Sequence, residues 1–218
     1  MSRASDSITP VLLTFNEEPN PAATLGFLRW ARRVIVVDSG STDRTEQIAR
    51  AFSNVSWHTR TFDSFGEQWK FALVETGIST EYALALDADM QVTSRFLGEL
   101  ERTFLPNHFD GGIVPFEYSI GPRRLISSLY PSQLRVFRPD RVTAGTIGHA
   151  HSFEVNGRVY RFHNQIIHDD RKSLDRWAAA QISYSRLEYS RIRSIAHPAL
   201  KDRLRALAGC GKTGFSPQ

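Results

Sequence analysis

Residues Val34-Ile35-Val36-Val37 set four β-branched side chains in a row. A run with no polar face forms a strand only where both faces are covered, and parallel strands with helices above and below are the usual setting. The run stops at Asp38-Ser39-Gly40-Ser41-Thr42-Asp43, a turn and helix-start sequence. The pattern recurs twice: Ile8 to Phe15 leads into Asn16-Glu17-Glu18, and Tyr82 to Leu86 ends at Asp87-Ala88-Asp89. Between these strands lie an amphipathic stretch through Trp30, a helix to about Phe52, a strand over Val55–Thr59 and a helix over Gly66–Gly77. Another helix follows Ser94, read as its N-cap. Alternation with crossovers of this length predicts an α/β fold, a mostly parallel sheet flanked by helices. Ligands of such sheets sit outside the carboxyl ends of the strands, where three polar clusters fall here.

From Gly111 the segments shorten and carry proline, glycine and arginine. Gly111 to Tyr118 and Phe153 to Val159 read as extended, with a tight turn at Asn156-Gly157. Leu174 to Ile195 predicts a helix with Leu174, Trp177, Ala178 and Ile182 on one face. Gly209 to Gln218, with three close glycines and a proline, reads as a frayed end.

The 218 residues fit one domain with a short tail, and a hydrophobic content of 41% excludes wholesale disorder. The single cysteine, Cys210, has no partner for an internal disulfide, which points to a reducing compartment. No apolar run opens the chain, so neither a signal peptide nor a spanning helix is expected. Charge is uneven. Residues 1–170 carry 17 basic and 20 acidic residues, a net −3, whereas residues 171–218 carry 10 and 3, a net +7. A basic C-terminal helix on an acidic body suggests an anionic partner or a solvated arginine-rich face. Nothing resembles an aromatic-basic recognition motif, so nucleic acid is not expected.

Chemistry concentrates at the strand ends. Two carboxylates two residues apart, Asp87 and Asp89, share one side of an extended segment and suit a single hard cation, Mn2+ or Mg2+, which takes one or two carboxylates and completes its shell with water and phosphate oxygens. A carboxylate directly after a strand, as at Glu17 or Asp38, accepts hydrogen bonds from a ribose or base. Gly40 allows a tight turn, and the helix start beyond it favours anions. Ordinary capping would account equally for Ser41, Thr42 and Asp43.

Together, Val11-Leu12-Leu13-Thr14-Phe15-Asn16-Glu17-Glu18, Val36-Val37-Asp38-Ser39-Gly40-Ser41-Thr42-Asp43 and Leu86-Asp87-Ala88-Asp89 resemble the family-2 glycosyltransferases of the GT-A fold. The resemblance covers roughly residues 8–190. It implies a GT-A-like sheet with a Rossmann-like nucleotide-binding half at about 8–90, an acceptor and catalytic half at about 91–200, and a tail over 201–218. It puts Thr14, Asn16, Glu17 and Asp38, with Ser39 and Gly40 in the adjoining turn, near the nucleoside. Asp87 would lie near nucleotide or sugar, and Asp89 would ligate the metal.

The second half is similar to a bacterial subgroup of that family through Gly121-Pro122-Arg123-Arg124-Leu125, Leu134-Arg135-Val136-Phe137-Arg138, Gly148-His149 and His168-Asp169-Asp170-Arg171-Lys172. By that similarity Asp169 or Asp170 is the catalytic base and His168 or His149 a further metal ligand, with His151 also in question because Ala150-His151 departs from the pattern. The subgroup is expected to continue past residue 200 with amphipathic or membrane-proximal sequence, where this chain reads Ala208-Gly209-Cys210-Gly211-Lys212-Thr213-Gly214-Phe215.

The implied reaction is inverting transfer from a nucleotide-sugar donor to a saccharide or glycolipid acceptor of the bacterial envelope. One carboxylate takes the acceptor proton, and the metal assists the leaving group. The implied location is cytoplasmic or peripheral at an anionic membrane. Trp69 and Leu73 share a helix face and read as core, while Lys70, Arg123, Arg124, Arg135 and Arg138 suit either phosphate or the surface. Tyr118 and Tyr130 suit a sugar or the core. Two other functions compete. A nucleotidyltransferase would need a Gly-rich basic loop after the first strand, where Asn16-Glu17-Glu18 stands instead. A non-catalytic saccharide-binding scaffold is disfavoured by intact Asp87, Asp89, Asp169 and Asp170.

Overall fold

The computed structural model describes the backbone of residues 3–120, 123–125, 131–147 and 150–209. The chain divides into two units, one through Lys172 and a second from Ser173. The first contains strands β1 Ile8–Thr14, β2 Val34–Asp38, β3 Val55–Thr59, β4 Tyr82–Asp87, β5 Met90–Gln91, β6 Gly111–Val114, β7 Phe116–Ile120, β8 Arg123–Arg124, β9 Gln133–Phe137, β10 Val142–Ile147, β11 Ala150–Val155, β12 Val159–Arg161 and β13 Ile166–His168. Its helices are α1 Ala4–Ser7, α2 Pro21–Gly26, α3 Thr45–Arg50, α4 Phe65–Val74 and α5 Ser94–Glu99, the last continuing as a π-turn over Leu100–Phe104. The second unit is one helix, α6 Leu174–Gly209. It runs on past residue 201, where the sequence reading starts a tail.

The main sheet has the order β12-β6-β9-β4-β1-β2-β3. β3, β2, β1 and β4 are mutually parallel, β9 runs antiparallel to both β4 and β6, and β12 is parallel to β6. The mostly parallel α/β sheet flanked by helices is therefore as expected. β2 is buried along its whole length, as its apolar run requires. Its side chains alternate between two cores: Val34 and Val36 join the larger cluster, Ile35 and Val37 the smaller. β4 does the same, with Tyr82, Leu84 and Leu86 on one face and the small Ala83 and Ala85 on the other, beside Trp69 of α4. Pro10 is tolerated inside β1 because pairing with β2 begins only at Val11, leaving one neighbour there. Gly112 is required where β6 passes Phe162, since a Cβ would meet Phe162 Cε2 at 2.5 Å.

Register aligns the strand ends. Thr14 is opposite Asp38 and Leu13 opposite Asp87, so the three polar clusters share one edge. Two smaller sheets follow: a β10-β11 hairpin and β5-β13-β7-β8. In the latter His168 pairs with Met90 and with Tyr118. The Asn156-Gly157 turn links β11 to β12, which lie in different sheets. The cap of α5 is Thr93, whose hydroxyl accepts from Phe96 N at 3.1 Å; the expected Ser94 is already the first helical residue.

Glu99, at the end of α5, fixes the chain leading into β13. Its carboxylate accepts from Tyr160 Oη at 2.8 Å, His163 N at 2.9 Å, Asn164 N at 2.8 Å and Asn164 Nδ2 at 2.7 Å. Burial opposes its charge, but these donors outweigh it and hold the carboxyl below the ordinary 4.5. A depressed carboxyl stabilises the fold fully above 4.5 and loses that contribution as pH falls through the folded value. Glu99→Gln is expected to lower stability by about 1–3 kcal/mol at neutral pH, since an amide cannot accept from every donor. Urea midpoints should fall on acidification below about pH 5 in the wild type and flatten in the variant.

Candidate active site

The turn after β2 is built by Asp38, which is 3% exposed. Oδ1 accepts from Thr14 Oγ1 at 2.9 Å and Ser41 Oγ at 2.5 Å, and Oδ2 accepts from Gly40 N at 2.9 Å and Ser41 N at 2.7 Å. All four acceptor positions of the carboxylate are thus engaged within the protein. Asp38 shapes the turn, which Gly40 closes at φ +89°. Ser39 Oγ accepts from the buried Gln68 Nε2 at 3.0 Å. Asn16, at φ 53°, locks the loop after β1 to this turn: its N–H donates to Ser41 Oγ at 2.7 Å and its Oδ1 accepts from Thr42 N at 2.8 Å. Phe15, between Thr14 and Asn16, is 55% exposed, an aromatic face at the strand end that the sequence reading missed.

Asp87 and Asp89 have different neighbours, though both charges act on His168. The extended geometry that would give them one side ends at Asp87, and Ala88 and Asp89 form a turn. Asp87 meets Arg135 of β9, with Oδ2 at 3.1 Å from Nη2 and Oδ1 at 3.4 Å from Nη1. Burial raises its pKa, but Arg135, with His151 and His168 farther off, overcomes this and holds the carboxyl well below the usual range. Arg135 is itself buried, its guanidinium 5.3 Å from the Phe116 ring centroid.

Asp89 faces β13. Its Oδ2 lies 2.9 Å from His168 Nε2, and Oδ1 is buried with no hydrogen-bond partner among the described residues. His168 Nδ1 is likewise buried and unpartnered. Burial lowers the His168 pKa, but the Asp89 carboxylate outweighs it and raises the value overall. The β5–β13 pairing creates this proximity, reinforced by the Asp169 N–H donating to Asp89 O at 2.9 Å.

The two candidate bases differ. Asp169 is 7% exposed; its Oδ2 accepts from Gln91 Nε2 at 2.8 Å and Arg171 Nε at 2.9 Å, while Oδ1 is buried without a partner among the described residues. Asp170 Oδ1 accepts from Asn20 Nδ2 at 3.1 Å and Lys172 N at 3.1 Å, with Lys172 Nζ at 3.3 Å. Burial raises the Asp170 pKa, but Lys172 and these donors bring it below the ordinary value.

Glu17 completes the group. Lys172 Nζ donates to both its oxygens at 2.8 Å, and Asn20 Nδ2 donates to Oε2 at 2.7 Å. Burial, with some help from the Asp89 charge, raises the Glu17 pKa despite Lys172. Asn20 Oδ1 accepts from Arg171 N at 2.9 Å. Asn20 and Lys172 thus tie the loop after β1 to the segment after β13. Asn20 reads as an ordinary turn residue in sequence, and its partners lie 150 positions away.

Thr14, Asn16, Asp38, Ser39 and Gly40 therefore form one hydrogen-bonded rim, and Glu17, Asp87, Asp89, His168, Asp169 and Asp170 lie along adjoining strand ends and loops. His151 sits in an aromatic group with Trp69, Phe65 and Phe153, within electrostatic reach of Asp87 and Arg135. Burial and then Arg135 push its pKa down to about 4, keeping it neutral. His149, Gly121, Pro122, Gly148 and Tyr130 lie outside the described residues.

Among the described residues no three His, Cys, Asp or Glu side chains form a ready metal cage. The orphaned Asp89 oxygen beside His168 nevertheless fits a hard divalent cation that draws its other ligands from phosphate and water. No described helix is long and apolar enough to cross a membrane.

The fold resembles solved structures of S. aureus TarS. TarS residues 1–349 in complex with UDP align at TM-score 0.58 and 15% identity, over 75% of this chain and 60% of that one. The complex with UDP-GlcNAc aligns at TM-score 0.58 and 15% identity, over 77% and 59%. The chain thus spans about three fifths of the length of these structures. At this identity the likeness concerns the fold. The family model "Glycosyl transferase family 2" matches residues 11–159, which take in all three strand-end clusters, Arg135 and most of the main sheet. The chain belongs to glycosyl transferase family 2.

Proposed function

We propose that the protein is an inverting glycosyltransferase that moves a hexosyl group from a nucleotide-diphosphate sugar to an acceptor hydroxyl. The observation that carries this reading is the convergence of Asp89, His168 and Asp169 across the β5–β13 pair, with two buried carboxylate oxygens that have no partner among the described residues. UDP is the first nucleotide to test, because the TarS structures hold UDP and UDP-GlcNAc.

In this reading Thr14, Asn16, Glu17 and the Asp38–Ser39–Gly40 turn receive the nucleoside, whose base stacks on exposed Phe15. Asp87, held by Arg135, faces nucleotide or sugar. Asp89 holds Mn2+ or Mg2+, with His168 and Asp87 as the adjacent donors and His149 as a further one. A divalent cation there supplies charge neutralisation to the departing diphosphate. Asp169 takes the proton of the acceptor hydroxyl as that oxygen bonds to the anomeric carbon and the carbon–phosphate-oxygen bond breaks. Asp170 serves as an anchor for the loop, because its carboxylate is committed to Asn20 and Lys172.

The reading includes a saccharide or glycolipid acceptor in bacterial envelope polysaccharide synthesis. It locates the protein in the cytoplasm or peripherally at the inner face of the plasma membrane. Residues 1–200 act as one glycosyltransferase domain.

Calorimetric titration with UDP, GDP, CDP and dTDP, each with Mn2+ and with EDTA, tests it. One diphosphate should bind only with metal, and Asp89→Ala should weaken it at least about tenfold, the loss expected when a metal site is damaged. Failure of every diphosphate to bind would overturn the reading.

A further inference from the structure

The small sheet β5-β13-β7-β8 carries a row of side chains that leads away from Asp169. Ile167 pairs with Gln91 on one side and with Glu117 on the other, so these three share one face. Asp169 lies two residues beyond Ile167 and accepts from Gln91 Nε2 at 2.8 Å, which puts it on that face too. Ser119 follows Glu117 on the same face and pairs with Arg124 of β8. Arg124 Nε in turn lies 3.0 Å from Glu117 Oε1. The last pair of β13 with β7 is His168 with Tyr118, so one step on Asp169 comes level with Ser119. Arg124 is therefore two strands across from Asp169, roughly 10 Å at ordinary strand spacing.

Beside this row a pocket of about 490 Å³ opens, with Arg95, Glu117, Arg124, His163 and Gln165 in its lining. Its described lining holds no Leu, Ile, Val, Phe, Tyr or Trp. An acyl chain or a nucleobase has no apolar surface to rest on there, whereas a hydroxyl-rich ligand finds amides and hydroxyls. Charge selects further. Arg95 makes no hydrogen bond or ion pair with a described residue. Arg124 has one carboxylate partner, in a pair exposed enough to be weak, so an incoming anion can compete for it. Glu99 lies 3.7 Å from His163 Nδ1, but its oxygens are already occupied by the donors named above. Two guanidiniums thus face one glutamate, and guanidiniums bind phosphate or carboxylate oxygens in pairs.

We infer that this pocket holds an anionic group of the acceptor saccharide, a phosphate or a carboxylate, while a hydroxyl of the same acceptor reaches Asp169. Arg95 and Arg124 bind the anion, and Gln165 meets a neighbouring hydroxyl. The inference rests on the transferase reading for the role of acceptor and adds the chemical class of that acceptor. The described lining shares no residue with the rim around Asp38, so both can be filled together.

The test is calorimetric titration of the full chain with glucose, glucose 6-phosphate and glucuronate, with and without UDP and Mn2+. Glucose 6-phosphate or glucuronate should bind at least about tenfold more tightly than glucose, the gain from hydrogen bonds to a charged group. The tighter of the two tells phosphate from carboxylate. Arg95→Gln and Arg124→Gln should each weaken the charged sugar by about tenfold. Glu117→Gln, which removes the competing carboxylate, should tighten it severalfold. Both arginines are exposed, so circular dichroism of their variants should match the wild type, and UDP binding should not change. Binding of neither charged sugar, equal binding of glucose, or charged-sugar binding indifferent to both arginines would overturn the inference. Arginine-dependent binding in a protein that binds no nucleotide would leave the anion pocket standing and remove the transferase reading. Metal-dependent UDP binding beside equal affinities for glucose and the charged sugars would remove the pocket alone.

Discussion

Asp169→Asn is expected to cut turnover by about a hundred- to ten-thousandfold while nucleotide binding stays close to wild type. The loss follows from the proposed role of Asp169 as base. Oδ2 is fixed by Gln91 and Arg171, and Oδ1 has no hydrogen-bond partner among the described residues. The amide would turn its oxygen toward those two donors and its NH2 group into the position of Oδ1. Shape and backbone hydrogen bonding are kept, but the group that accepts a proton is gone. Asp170→Asn should behave differently. Its carboxylate is occupied by Asn20 and Lys172, so the loss should be severalfold and should come with a weaker tie between the two loops. Single-turnover release of the diphosphate from the nucleotide sugar identified by calorimetry, set beside binding of that diphosphate, separates the two outcomes. A larger catalytic loss from Asp170→Asn than from Asp169→Asn would reverse the assignment.

Trp69→Ala should be the most damaging substitution away from the site, costing about 3–5 kcal/mol. Trp69 is fully buried on α4, against the small Ala83 and Ala85 of β4 and the rings of His151 and Phe153 on β11. Its removal opens a cavity between the main sheet and the β10-β11 hairpin that rigid strands cannot close. Trp69→Phe provides the comparison. The indole Nε1 has no hydrogen-bond partner among the described residues, so no polar contact described there is lost. The cost should shrink to about 1–2 kcal/mol, that of a smaller void. Urea denaturation of both variants measures the difference; equal costs would mean that the volume of the ring does not matter there.

The parallel half was legible in sequence because its signals are local. The run at Val34–Val37 demands cover on both faces, and the turn residues that end each strand sit beside it in the chain. Their meeting at one edge follows from parallel pairing, which aligns Thr14 with Asp38. The second half gave weaker signals. β12 and β13 have three residues each, and β5 has two, too short for any periodicity to register. Their pairing depends on partners many residues away, and it is this pairing that joins His168 to Asp89. The premise of an extended segment from Asp87 to Asp89 was not met, because the strand ends between them, yet both carboxylates act on His168. Asn20 carried no signal, since an asparagine before a proline is ordinary turn chemistry. Sequence leaves Asp169 and Asp170 as equal candidates, because both belong to one short motif; only the packing tells them apart, pairing Asp169 with Gln91 and Arg171 and Asp170 with Asn20 and Lys172.

The tie from Asn20 to Asp170 and Arg171 also bears on the order in which the enzyme comes into being. As the chain leaves the ribosome, residues 8–87 emerge as one stretch carrying all of β1 to β4 and the turns at their ends. The carboxylates of Asp169 and Asp170 arrive some eighty positions later, and β13 must then slot between β5 and β7. The clasp at Asn20 is therefore a closing stitch. A growing chain displays the rim around Asp38 before it owns the segment from His168 to Lys172, and the loop after β1 stays untied until synthesis has passed Lys172.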